Sequence, residues 1–189
     1  MTDQTTHERL TGAAPGFWER TRRVWHTVFY LLLVGMAVLM VGQPDLTSTQ
    51  RAVVLALLAV IAATYAVAGQ RALGTDRLGW ALAYLVPAWL GVVVLSAIDP
   101  AGYALLFMLF PQTWAMLPRP WQAVAWTLVA AGVLALVQAW QGGFDSAAAT
   151  EAGLTFAFNA GLSLLLGLWI TGIVRESERR AALLAALEQ

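Results

Sequence analysis

Residues 79–117 read GWALAYLVPAWLGVVVLSAIDPAGYALLFMLFPQTWAML, and this stretch decides the fold. It holds two long apolar blocks, no basic residue, and one carboxylate, Asp99, between them. A helix crosses ~30 Å of hydrocarbon with about 20 mostly apolar residues, so Gly79–Ile98 and Ala101–Leu117 read as consecutive membrane helices. Asp99-Pro100 supplies an N-cap followed by a first-turn proline, which joins them as a tight hairpin.

Working outward, four more segments have the same character. Val24–Val41 and Ala52–Ala68 precede the hairpin, and Trp121–Trp140 and Ala152–Val174 follow it. Gln43-Pro44-Asp45 stops the first helix, and Thr47-x-x-Gln50 has the spacing of a capping box for the second. Pro118-Arg119-Pro120 separates the fourth span from the fifth. Gln141-Gly142-Gly143-Phe144-Asp145 ends the fifth and opens what reads as the longest loop. The composition agrees with this reading. Of 189 residues 59% are hydrophobic and 12% charged, half the charged share of about 25% in soluble domains. That excludes a soluble enzyme or a nucleic-acid binder, and the lack of cysteine removes disulfides and thiolate chemistry. The apolar segment after Arg20, Arg22 and Arg23 is too long for a signal peptide and lacks a clean cleavage site, so the first helix is expected to be retained.

All eleven basic residues are arginine. With the N-terminus placed inside, only Arg51 falls outside; Arg9, Arg20, Arg22, Arg23, Arg71, Arg77, Arg119, Arg175, Arg179 and Arg180 face the cytoplasm, as the positive-inside rule requires. The expected fold is therefore all-α and polytopic: six transmembrane helices, both termini cytoplasmic, and the last helix extended into the cytoplasm. Residues 1–23 form a tail, 24–174 the membrane domain, and 175–189 the start of a cytoplasmic helix.

Few residues offer chemistry. Charged side chains are missing from the centres of the spans, where pumps and proton relays carry them. His7 lies in the polar tail, and His26 near the inner end of the first span reads as an interfacial packing residue. No metal site or catalytic group is expected. Glu151, Thr155, Asn159 and Ser163 recur every fourth position, placing them on one helical face. They read either as hydrogen-bonding glue between helices or as the polar wall of an outward-open cleft. Gly153, Ala157 and Gly161 form an adjacent strip of small residues. Pro87 and Pro111 stand twelve residues either side of Asp99, at matching depth by helical rise. Each frees a carbonyl, Ala83 and Phe107 respectively, and Tyr84 and Gln112 are placed to satisfy them. The pair reads as a hinge layer or as a static packing kink.

After Val174 the chain becomes polar, free of glycine and proline, and rich in good helix formers. Arg175, Glu176, Arg180, Leu184 and Leu187 lie on this extension. Glu176 and Arg180 have the favourable i, i+4 order, and Ser177, Arg180, Leu184 and Leu187 have heptad spacing.

The Leu109-Phe110-Pro111-Gln112-Thr113-Trp114-Ala115-Met116-Leu117-Pro118-Arg119 element, followed by a last span entering Arg175-Glu176-Ser177-Glu178-Arg179-Arg180, resembles the membrane input region of DesK/NarL-type bacterial sensor histidine kinases. The resemblance runs from the first span to Gln189. It implies an inner-membrane signal-input domain that forms a homodimer through its sixth helix and passes a stimulus to a kinase core. ATP, Mg²⁺ and a response regulator belong to that core, so no cofactor is expected in this chain. Neither His7 nor His26 matches the phospho-acceptor motif, and by the resemblance the chain is a sensor without its catalytic half. A small transporter or channel, or a membrane scaffold, is the alternative.

Overall fold

A computed structural model describes residues 17–73, 75 and 77–187, with the side chains of 17–23, 174, 175, 177–182 and 184–187 left aside. Among the described residues the chain is all helical. α1 spans Phe17–Val41. α2 spans Ser48–Ala72, with a π-turn at Tyr65–Gly69. α3 spans Leu78–Ile98. A 3-10 segment, Pro100–Leu105, leads into α4, Leu106–Met116. α5 spans Pro120–Gln141, and α6 runs unbroken over Ser146–Leu187. Five of these, all but α4, are long and apolar enough to cross a membrane, the architecture of a multi-pass membrane protein. The fourth expected span is split: Pro100–Leu105 is 3-10 and only the eleven residues Leu106–Met116 are α-helical.

The capping chemistry explains several boundaries. Thr47 and Gln50 form the full capping box of α2. The Asp99 carboxylate accepts from Ala101 N at 2.7 Å, which fixes the α3 hairpin. Arg51, the one arginine assigned to the outer side, donates to the Gln43 carbonyl at 3.0 Å and ties the α1–α2 turn. Gln141 Nε2 donates to Ser96 O and Ala97 O at 3.0 and 3.1 Å. It thus serves two of the carbonyls that the end of α3 leaves unpaired. The expected long loop after α5 is short instead. Asp145 accepts from Ala147 N and Ala149 N and starts α6 at Ser146, leaving only Gly142–Asp145 as a turn.

α3 is the centre of the bundle, with half of its apolar window buried against 17% for α6. α2 and α5 pack on α3, α1 packs on α2 and on the 3-10 segment, and α6 packs along α5 and touches α4. The 3-10 segment lies directly on α3. A Cβ at Gly102 would stand 2.6 Å from Ser96 N, so only glycine allows that backbone approach. α4 is buried through Leu109, Phe110, Gln112, Thr113 and Met116, while Phe107 points outward. Lipid is as apolar as leucine, so contact packing and interhelical hydrogen bonds hold such a bundle together.

Candidate functional site: a polar and aromatic belt across four helices

The most chemically distinctive region lies between α1, α2, α3 and α4. Phe29, Tyr65 and Tyr84 are all buried. Phe29 stacks on Tyr65 with centroids 3.7 Å apart, and Tyr65 meets Tyr84 edge-on at 5.3 Å. Such pairs contribute about 0.5–1.5 kcal/mol each beyond the area they cover. Around them run the hydrogen bonds. His26 Nδ1 pairs with the Tyr65 hydroxyl at 2.7 Å, and Gln70 Nε2 reaches Tyr30 OH at 3.5 Å. The Tyr84 hydroxyl donates to Gln112 Oε1. Trp89 Nε1 donates to Thr113 Oγ1 at 3.2 Å, and that hydroxyl donates to Leu109 O at 2.8 Å.

The two prolines lie inside α3 and α4, and both helices continue through them. Tyr84–Gln112 and Trp89–Thr113 link these helices, with Tyr84 and Trp89 on either side of Pro87 and Gln112 and Thr113 directly after Pro111. This corrects the expected role of Tyr84 and Gln112. Tyr84 spends its proton on Gln112, and Gln112 Nε2 is buried without a partner, so neither side chain donates to the carbonyls of Ala83 or Phe107. The physical reason is reach. The Tyr84 phenol and the Gln112 amide are long enough to meet across the α3–α4 interface.

Sequence reasoning missed Tyr65 and underrated His26. The signal was present in Tyr65-x-x-x-Gly69, which puts a glycine one turn beyond an aromatic ring on the same face. A Cβ at Gly69 would stand 2.5 Å from Tyr65 Cδ2, so the glycine is what lets the ring lie there. π-turns are rare and concentrate at functional sites, and this one begins at Tyr65.

The polar stripe of α6 is divided. Ser163 is buried, whereas Glu151, Thr155 and Asn159 are exposed on the bundle's outside. Asn159 Nδ2 donates back to Thr155 O at 2.8 Å on its own helix. Ala152, Phe156, Ala160, Ser163 and Gly167 form the face that packs inward. A shallow outer depression is lined by Ser146, Ala147, Thr150, Glu151, Leu154 and Thr155, all from α6. With no second helix opposite, the stripe does not enclose a cleft. A Cβ at Gly153 or Gly161 would meet nothing, so the small-residue strip also faces outward. On the extension Glu176 is exposed; the side chains of Arg175, Arg180, Leu184 and Leu187 lie outside the described residues, as does His7. Among the described residues no cluster of histidine and carboxylate has metal-binding spacing.

No protein-family model, curated protein or solved structure matches this chain.

Proposed function

We propose that this chain is the membrane-embedded signal-input module of a bacterial sensor histidine kinase, as the DesK/NarL resemblance implies, with α6 as its output. The observation that carries the reading is the continuity of α6. Its 42 residues make a rod of about 63 Å at ~1.5 Å per residue, twice the ~30 Å of a hydrocarbon core. The apolar part ends at Ile173 and the helix continues through Arg175, Glu176 and Arg180. A rod of this kind carries rotation, tilt or translation from the bilayer to whatever is attached beyond it.

The rest of the reading is part of the same proposal. The module sits in the cytoplasmic membrane with six spans and both termini inside. The fourth crossing is short but sufficient. Six 3-10 residues at ~2.0 Å and eleven α-helical ones at ~1.5 Å give about 28 Å. Two copies pair through α6 and its extension, and a kinase core outside this sequence supplies ATP, Mg²⁺ and the contact with a response regulator. A stimulus acts only by stabilising one helix arrangement more than the other. The belt between α1 and α4 is where two such arrangements differ, because it couples both prolines and the π-turn. A transporter reading loses its main support once the α6 stripe faces outward.

The test is an insertion series. With a kinase core fused after Gln189, one to four residues are added after Arg180. Autophosphorylation should rise and fall with helical phase, and output indifferent to phase removes the proposal.

A further inference from the structure

The outward side of α6 holds an asparagine in mid-membrane. Asn159 stands thirteen residues after Ser146 and fourteen before Ile173, the two ends of the apolar part of the helix. About 20 Å of helix therefore lies on either side of it at ~1.5 Å per residue, and its short side chain reaches no headgroup. One amide N–H donates to Thr155 O at 2.8 Å. The amide oxygen and the second N–H have no partner among the described residues. Hydrocarbon offers them none, and an unmet polar group there is costly.

The other helices of the chain do not meet the need. α6 turns Ala152, Phe156, Ala160, Ser163 and Gly167 toward them, and Asn159 is exposed. Completing the amide takes a second molecule. An amide is its own complement, because two of them face to face each donate an N–H to the other's oxygen. All copies of one membrane helix share one orientation, so two copies of α6 side by side are parallel and carry Asn159 at equal depth. The spacing around Asn159 fits such a pair. Thr155, Asn159, Leu162, Leu166, Trp169 and Ile173 alternate steps of four and three, the 3.5-residue repeat of a left-handed helix pair. All six are exposed. In that repeat Asn159 takes the core position at which a lone asparagine sets register and oligomeric state.

We propose that this seam is the face through which α6 pairs with α6 of a second copy, with the two Asn159 amides bonded to each other across the two-fold axis and fixing the register. The seam rests on the pairing through α6 proposed above and adds which face pairs and which residue locks it. The strip of Gly153, Ala157 and Gly161 lies elsewhere on the helix. At 3.6 residues per turn Ala157 is about 160° around from Asn159, and the strip has no polar side chain to satisfy.

The chain has no cysteine, so single cysteines in the full chain report which face pairs. Leu162→Cys, Leu166→Cys and Ile173→Cys sample the seam, and Ala157→Cys, Gly161→Cys and Leu168→Cys sample the far side. Copies with two tag lengths are co-expressed and their membranes oxidised, so that a disulfide between copies gives a band of intermediate size. Because a disulfide needs the two Cβ atoms within about 4.5 Å, the seam positions should cross-link about fivefold faster than the others, or more. In the Leu162→Cys protein, Asn159→Leu should slow cross-linking severalfold and Asn159→Gln should restore most of the rate. The fold of a single copy is indifferent to both changes, because the side chain lies off the packed face. Fastest cross-linking at Ala157, Gly161 and Leu168 overturns the seam and leaves the α6 dimer standing. A rate unmoved by Asn159→Leu overturns the amide lock. No intermediate band at any position, or adducts with other proteins only, removes the seam together with the dimer on which it rests.

Discussion

At the scale of single residues, the Tyr84–Gln112 bond is the polar contact most open to measurement. Both side chains are fully buried, and Gln112 already has an amide nitrogen with no partner. Tyr84→Phe strands the amide oxygen as well, and Gln112→Leu strands the phenol. Each replacement should therefore cost more than the pair replaced together, because an orphaned polar group is more costly than a missing bond. A double-mutant cycle read by unfolding in mild detergent should return a coupling of about 0.6–1.7 kcal/mol, the range for interhelical hydrogen bonds in membranes. A coupling near zero would mean that the bond contributes nothing. These residues were half legible in sequence. Spacing from Asp99 put Tyr84 and Gln112 near the two prolines, but spacing cannot tell whether a side chain turns to its own backbone or to the facing helix.

At the scale of the element, α6 has two faces of opposite role. Gly167 packs on α4, and any Cβ there would overlap the Trp114 indole. Overpacking of this kind costs about 1–3 kcal/mol, so Gly167→Ala should lower the thermal midpoint in detergent. Asn159→Leu should change it little, within about 0.5 kcal/mol, because the side chain is exposed and bonds only to Thr155 on the same helix. Equal effects from the two substitutions would contradict this assignment of faces. A four-residue period establishes that Glu151, Thr155, Asn159 and Ser163 are neighbours on the helix. It says nothing about which way the helix is turned, and the burial of Ala152, Phe156 and Ala160 decides that.

At the scale of the whole molecule, the question is whether the short fourth segment crosses. Ala101 begins it and Arg119 follows it. Cysteines at Ala101 and Arg119 in sealed vesicles should be modified from opposite sides, with Arg119→Cys on the same side as Thr75→Cys. Modification of Ala101→Cys and Arg119→Cys from one side would reduce the count to five spans and reverse the last one. The amino-acid sequence by itself determined that the chain is helical and built of apolar spans, where most of the breaks fall, and which residues cap them. Those features depend on composition, periodicity and hydrogen bonds within a few residues, as at Thr47–Gln50 and Asp99–Pro100. Only the tertiary structure decided the π-turn at Tyr65, the 3-10 start of the fourth segment, the His26–Tyr65 and Tyr84–Gln112 pairs, and the outward turn of the α6 stripe. Each of these depends on which helix stands opposite and how closely it approaches. That is set by side chains far apart in sequence, such as Gly102 against Ser96 and Gly69 beneath the ring that Phe29 holds in place.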